Sequence, residues 1–308
     1  YNQDDLLVAK RAAELCKADL ATKMVVEMTS LQGLMGRYYA LASDEAPAVA
    51  QAIFEHYLPR ATGDLIPESK AGFLVGLADR LDSLAGLFAV GLAPSGNKDP
   101  FAQRRAALGI VQNLAAWDVD FDVRQALQTA AQYLPVTLEP DNQAAVVEFI
   151  VERLRNVLLE TSARYDIVDS VLSVQGHNPA SAAREVKALT SWVSRADWQT
   201  ILPAYARCVR ITRDLDEKHE VDSSLLSEAE ERELYTAILA AENAPRRSAS
   251  VDDFLNTFLP MIPVVNRFFD RVLVMAEDLS VRKNRLGLLQ RIADLAQGIA
   301  DLSKLEGF

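Results

Sequence analysis

The sequence of 308 residues has little cysteine and no long apolar run, and both absences limit where the protein can act. Its two cysteines, Cys16 and Cys208, lack the CxxC spacing of metal and redox motifs, so we predict two buried thiols in the reducing cytoplasm. No stretch approaches the roughly 20 consecutive apolar residues that a membrane-spanning helix needs, and we expect no membrane partner. The segment Tyr1–Asp5 has neither an initiator Met nor a signal-peptide pattern, so we interpret the chain as a fragment of a longer protein.

Sequence motifs that mark catalysis are also missing. Neither the glycine-rich patterns GxGxxG and GxxxxGK[ST] nor the nucleophile pattern GxSxG occurs. The chain has three histidines, His56, His177 and His219, and neither cysteine has a histidine nearby in sequence. Because no nucleophile has a partner base, we predict no catalytic residue in this chain.

Positive charge is scarce, because 32 lysines and arginines face 43 aspartates and glutamates, for a net charge of −11. Proteins that bind nucleic acids in general need clustered basic side chains against the phosphates, so we expect no DNA partner. If the chain binds RNA, it does so through a few placed arginines within acidic surroundings. That pattern suits one specific partner better than nonspecific binding.

The sequence is rich in apolar residues, which make up half of the chain and recur at helical spacing. One such stripe is Leu286, Leu289, Ile292, Ala293, Ala296 and Ile299. Asn178–Pro179 places a capping residue before proline, and Ser227 with Glu230 and Ser250 with Asp253 have the spacing of a capping box. Alternation typical of β-strands is missing. The predicted fold class is therefore all-α, with two helical domains.

A proline-containing stretch, Tyr133–Asp141, interrupts the helical pattern and is the preferred domain boundary. We predict a helical domain over residues 1–110, a helical connector over 111–140 and a second helical bundle over 141–308.

The candidates for a metal site in the first predicted domain are Asp19, His56, Asp79 and Asp82. Asp79 and Asp82 are three residues apart on one helical turn, so both can face one site. With His56 they could bind a divalent cation and activate water, as in a metal-dependent phosphohydrolase. The alternative is that the aspartates pair with arginines and hold helices together. The scarcity of histidine favours this alternative, because transition metals prefer nitrogen and sulfur ligands.

Three clusters in the second predicted bundle could instead contact RNA. Arg207 and Arg210 share one face of a predicted helix. The other clusters are Asn266, Arg267 and Phe269, and then Arg282, Asn284 and Arg285. Arginine and asparagine can hydrogen-bond to unpaired base edges, and aromatic rings can stack on them, as in proteins that read RNA loops. The alternative, which composition alone favours, is a solvated helix face with Arg–Asp pairs.

Several motifs resemble one protein family. Residues 17–40, which read KADLATKMVVEMTSLQGLMGRYYA, are closely similar to a stretch of bacterial glycyl-tRNA synthetase β subunits. The similarity continues through Glu55–Pro59, Leu77–Leu84, Pro94–Arg105, Phe268–Asp278 and Arg282–Leu289. The chain thus resembles the C-terminal half of such a β subunit.

The resemblance implies an α2β2 glycine–tRNA ligase, in which the α subunit performs aminoacylation with ATP and Mg²⁺ and the β subunit grips tRNA(Gly). For this chain it implies an HD-type helical domain followed by a DALR-type anticodon-binding domain, with no cofactor of its own. Metal-binding HD domains need a His–Asp pair where this chain has Ala18–Asp19. Asp19, His56, Asp79 and Asp82 would then be remnants of a lost metal site.

We therefore expect a two-part holder for tRNA(Gly). The second bundle would read the anticodon loop through the three clusters, where glycine anticodons present two cytosines with unpaired edges. The first domain would support the acceptor side through Arg37, Lys98, Arg104 and Arg105. The alternatives are the metal-dependent HD-type phosphohydrolase and a helical scaffold that only bridges subunits.

Overall fold

The computed structural model describes residues 3–95 and 98–308, and its regular elements are helices. Gly96 and Asn97 of the Pro94–Arg105 motif lie outside the described residues, as do the first two residues of the acidic N-terminal segment. The β-type pairing in the described part is one isolated bridge, between Ser95 and Lys98. The predicted all-α fold class is thereby confirmed. Among the described helices, none is both long enough and apolar enough to cross a membrane.

The helices divide between two compact units. The first contains the residues up to Val157 together with His177–Ala180, and the second contains Leu158–Gly176 and Ser181–Phe308. Residues 111–140, predicted as a connector, belong to the first unit and supply helices that pack on its central helix. The units therefore divide later in the chain than the preferred boundary, and the predicted domain ranges stay a prediction.

The first unit is built around one long helix, α5, because this helix is apolar on most of its sides. The helices of this unit are α1 (Gln3–Leu15), α2 (Lys23–Glu27), α3 (Leu34–Ala42), α4 (Pro47–Glu55), α5 (Lys70–Ala89), α6 (Gln103–Trp117), α7 (Val123–Ala131) and α8 (Pro140–Glu160), which continues into the second unit. Helix α5 packs against α1, α4, α6 and α7 and buries Phe73, Leu84 and Phe88. Phe73 stacks on Trp117 of α6 with ring centroids 5.0 Å apart. The two helices that the α4–α5 loop connects are therefore packed against each other, and α5 is also packed on α6.

The second unit packs its helices around aromatic residues. These helices are α9 (Tyr165–Gln175), α10 (Pro179–Val193), α11 (Trp198–Thr212), α12 (Ala229–Asn243), α13 (Val251–Phe258), α14 (Ile262–Arg271) and α15 (Leu279–Asp294). Tyr205 of α11 meets Phe254 and Phe258 of α13 edge-on, with ring centroids 5.5 and 5.6 Å away. Helix α11 packs on α14 and α15, and α12 also packs on both. This frame holds α11, α14 and the start of α15, which carry the three predicted RNA clusters.

Candidate nucleic-acid interface

The first two predicted clusters meet where α11 packs against α14. Arg207 is exposed on α11, and its guanidinium carbon lies 4.3 Å from the centroid of the Phe269 ring. Phe269 is half-buried, and Asn266 lies one turn earlier on the same face of α14. A cation–π contact at an exposed site contributes about 0.5–1 kcal/mol, which is enough to favour one position of the guanidinium. We call Arg207, Asn266 and Phe269 the α11–α14 surface.

Two further arginines of these helices, Arg210 and Arg267, already have partners. The exposed Arg210 has its guanidinium carbon 5.6 Å from the centroid of the Phe308 ring. Arg267 forms an ion pair with Glu233 of α12. Because an ion pair between two half-exposed side chains contributes only about 0–1 kcal/mol, a phosphate could replace Glu233 at little cost. Both arginines stay candidates for RNA contact.

Burial divides the third predicted cluster. Arg282 is half-buried in the first turn of α15. Asn284 is 3% exposed and bonds the backbone of Asp222 twice, donating to its carbonyl at 3.1 Å and accepting from its N–H at 2.7 Å. Arg285 is 7% exposed, and its Nε donates to the buried carboxylate of Glu231 at 2.6 Å. Because buried, bonded groups cannot reach a base edge, we correct the predicted roles of Asn284 and Arg285 from RNA contact to structural support.

Arg285 also fixes the loop that joins α14 to α15, since its Nη1 donates to the carbonyl of Leu273 at 2.9 Å. In this loop Val272 and Val274 are buried, whereas Leu273 is 70% exposed and Met275 is 54% exposed. Apolar side chains with this exposure can pack on the face of an unpaired base. Leu273 and Met275 could not be predicted as exposed, because a run of apolar residues is typical of a core. The one signal in the sequence was that they alternate with the valines.

Three of the four basic residues predicted for the acceptor side come from one segment of the first unit. Lys98 and Arg105 are exposed, and Arg104 is half-buried with its Nη1 donating to the carbonyl of Lys98 at 3.4 Å. The carboxylate of Asp99 accepts from the N–H of Arg104 at 2.9 Å and also caps the first turn of α6. Arg37 lies on α3, where it is half-buried.

The predicted metal set does not come together. Asp19 is buried, and its Oδ2 accepts from the N–H groups of Gly33 and Gly36 at 2.7 and 3.1 Å, which caps the start of α3. Asp79 pairs with Lys17, with Nζ and Oδ2 2.9 Å apart. Asp82 is exposed on α5. Asp19 thus bonds backbone N–H groups of the protein, and Asp79 neutralises the charge of one of its lysines.

The expectation that Asp79 and Asp82 face one site is wrong. Asp79 and His56 line a cavity between the α4–α5 loop and α6, which we call the His56 cavity, whereas Asp82 lines a separate apolar groove. Across residues 3–95 and 98–308, no group of three or more His, Cys, Asp or Glu side chains is placed to hold a metal ion. The geometry therefore gives the phosphohydrolase alternative no support. Sequence reasoning missed Lys17, Tyr57 and Phe101 of this cavity, because they come from three separate segments.

Two family descriptions match the chain. Residues 2–173 match the family described as "Glycyl-tRNA synthetase beta subunit". Residues 201–302 match the "DALR anticodon binding domain". The second range contains the whole α11–α14 surface and also Arg210, Arg267 and Arg282.

Curated relatives resemble the chain along nearly its whole length. The glycine–tRNA ligase β subunit of Myxococcus xanthus is 40% identical over 312 residues, which cover 96% of this chain and 44% of that protein. The glycine–tRNA ligase β subunit of Clostridioides difficile is 37% identical over 300 residues, covering 96% and 44%. Glycine–tRNA ligase, chloroplastic/mitochondrial 2 of Arabidopsis thaliana is 37% identical over 309 residues, covering 100% and 29%. The chain therefore spans less than half the length of these relatives.

Proposed function

Because the chain belongs to the glycyl-tRNA synthetase β-subunit family, we propose that it holds tRNA(Gly) and contacts the unpaired bases of its anticodon loop. The observation that carries the proposal is the stack of Arg207 on Phe269, within the range that matches an anticodon-binding domain. Unpaired RNA bases stack on aromatic rings and on guanidinium planes, and asparagine can bond their edges. The α11–α14 surface offers all three groups.

The charge of the chain supports a specific RNA partner. Some arginines of the second unit are paired with carboxylates, as the exposed Arg247 is with Asp253 and the half-buried Arg291 with Glu242. Arg207 and Arg282 make no ion pair with a carboxylate anywhere in the described part of the chain. In a chain with a net charge of −11, arginines without a carboxylate partner are places where phosphates are attracted.

The remaining parts of the proposal concern the whole enzyme. The α subunit performs the aminoacylation with ATP and Mg²⁺ in an α2β2 assembly, and this chain binds neither. Arg37, Lys98, Arg104 and Arg105 support the acceptor side of the tRNA, and the HD-type first domain keeps no metal. The enzyme works in the cytoplasm, which agrees with two buried, unpaired thiols, Cys16 and Cys208.

Replacing Arg207 or Arg282 with alanine is expected to weaken binding of tRNA(Gly) by roughly tenfold in each case. Each replacement should also reduce the steepness of the dependence of log K on log salt by about 1, since one phosphate contact is lost. Fluorescence-anisotropy titrations of labelled tRNA(Gly) at four salt concentrations measure both quantities.

The matched control is Arg247→Ala, which removes an exposed arginine that is already paired with Asp253. This control should leave affinity and salt dependence within about twofold of the unchanged chain. If Arg207→Ala and Arg282→Ala behave like Arg247→Ala, neither arginine contacts RNA. A chain that only bridges subunits would give that result.

A further inference from the structure

The His56 cavity is a polar pocket of the first unit, with a volume of about 230 Å³. Its walls come from the segments between α1 and α3, the α4–α5 loop, α5, and the start of α6 with the residues just before it. The residues used below are Lys17, His56, Tyr57, Phe101 and Arg105. Pockets for drug-sized ligands usually measure roughly 300–1,000 Å³, so this volume suits one small group such as a single base.

His56 lines this cavity and has an unused hydrogen-bond acceptor. The side chain is fully buried, and its Nδ1 lies 2.6 Å from the carbonyl oxygen of Ile53. Since a carbonyl only accepts, Nδ1 carries the proton of this bond. Burial, and then the charge of Lys17, lowers the pKa of His56 to about 4, which keeps the ring neutral. Nε2 is therefore a bare acceptor, and it has no hydrogen-bond partner among the described residues.

The Tyr57 hydroxyl and the Phe101 ring are two further features of this cavity. The ring of Tyr57 is 3.9 Å from that of His56, centroid to centroid, and its hydroxyl also lacks a partner in the described part of the chain. Burial, followed by the nearby charge of Asp19, raises the pKa of Tyr57, so the hydroxyl keeps its proton. At the cavity edge Phe101 is 51% exposed, which leaves its ring available for stacking.

The charge of the cavity is opposite to that of the chain. Its lining has four basic residues, Lys17, Arg60, Arg80 and Arg105, and one acidic residue, Asp79. Lys17 pairs with Asp79, Arg60 pairs with Asp64, and Arg80 donates to backbone carbonyls. Arg105 is exposed and has no carboxylate partner within the described ranges. Arg105 is thus the exposed guanidinium of this lining that is open to a phosphate, and one such contact fits a phosphodiester better than a triphosphate.

We propose that the His56 cavity binds one unpaired nucleotide, with its base stacked on Phe101, a donor of the base or ribose bonded to His56 Nε2, and its phosphate against Arg105. The chemistry is that of a single nucleotide, which can be free or part of an RNA strand. An inorganic phosphate alone cannot stack on the ring of Phe101. The site lies in the first unit and is independent of the α11–α14 surface proposed for the anticodon.

Titration calorimetry of the full chain with AMP, CMP, a single-stranded RNA trinucleotide and inorganic phosphate tests the proposal. We expect the nucleotides to bind and Phe101→Ala and Arg105→Ala each to weaken binding by roughly fivefold or more. The control Lys10→Ala removes an exposed cation of α1 outside the cavity and should change nothing. Tighter binding of the trinucleotide than of the mononucleotides identifies RNA as the source, and equal binding identifies a free nucleotide.

A second readout follows the unaltered chain and uses a replacement in the cavity only to assign one signal. The chain has three histidines, so three imidazole Hε1 resonances, one from each ring, report on the titration. The resonance that His56→Asn removes should shift when nucleotide is added, while those of His177 and His219 stay fixed. Failure of every nucleotide to bind would overturn the proposal, and so would binding of inorganic phosphate as tight as that of AMP and unaffected by Phe101→Ala.

Discussion

Replacing Glu231 with alanine is expected to lower the free energy of unfolding of the second unit by about 3–5 kcal/mol, because it leaves a buried cation without its partner. Glu231 is fully buried at the start of α12. One carboxylate oxygen accepts from Arg285 Nε at 2.6 Å, and the other accepts from the N–H of Glu228 at 2.7 Å. The same side chain therefore caps α12 and holds the arginine that fixes the loop at Leu273.

Urea denaturation followed by circular dichroism measures this loss. The matched control is Glu233→Ala, two residues later on α12, which breaks the half-exposed pair with Arg267 and should cost less than about 1 kcal/mol. The double replacement Glu231→Leu with Arg285→Met should cost less than Glu231→Ala alone, since no charge is then left buried. Equal losses for Glu231→Ala and Glu233→Ala would show that the buried pair does not hold the second unit together.

Replacing Arg80 with methionine is expected to destabilise the first unit by about 3 kcal/mol or more. Arg80 is 7% exposed, and burial lowers its pKa to about 10, which leaves it charged at neutral pH. Its guanidinium donates to five backbone carbonyls at 2.8–3.3 Å, those of His56, Tyr57, Leu58, Pro59 and Gly76. Each buried acceptor that loses its donor costs roughly 1–3 kcal/mol. Methionine keeps the unbranched apolar stem of the side chain and has no donor, so the loss includes all five hydrogen bonds.

Two glycines, Gly76 and Gly109, leave the space that the Arg80 guanidinium occupies. A Cβ added at Gly76 would lie 2.7 Å from Arg80 Nη1, and one added at Gly109 would overlap the guanidinium. Arg60→Met is the control. Arg60 lies in the α4–α5 loop, whose carbonyls Arg80 bonds, but it is half exposed and paired with Asp64. Its loss should cost less than about 1 kcal/mol in the same urea experiment. A stable Arg80→Met chain would mean that the loop is held by other contacts, such as the bond from Asn113 to the carbonyl of Leu58.

Local signals in the sequence predicted helix starts well where one residue type determines the geometry. Helix α10 begins at Pro179 as predicted, and the Ser250 side chain accepts from the N–H of Asp253 at the start of α13. The capping box predicted at Ser227 and Glu230 lies one residue later, at Glu228 and Glu231. Glu231 occupies this position because its carboxylate also pairs with the buried Arg285. The apolar stripe continues past the end of α15 at Asp294, since Ala296 and Ile299 are buried in the irregular segment beyond it. A stripe of apolar residues thus predicts which residues are buried, but the buried segment need not be a helix.

The site was less accessible to sequence reasoning than the fold. A run of polar residues at a helix start, such as Arg282–Arg285, does not show which members face inward. Burial of Arg285 depends on Glu231, which is 54 residues away and is not marked by any local pattern. The contact between Arg207 and Phe269 likewise joins two helices whose packing no spacing predicts. Long-range packing thus decided which of the predicted residues remain at the surface.

The most direct test of the central claim is the affinity of this chain for tRNA(Gly) compared with the same tRNA carrying replaced anticodon cytosines. Loss of one matched set of hydrogen bonds to a base edge costs about 1–3 kcal/mol, so we expect the altered tRNA to bind the unchanged chain roughly tenfold more weakly. In the Asn266→Ala chain the two tRNAs should bind with nearly equal affinity. Equal affinity of the unchanged chain for both tRNAs would contradict the proposal that the α11–α14 surface contacts the anticodon.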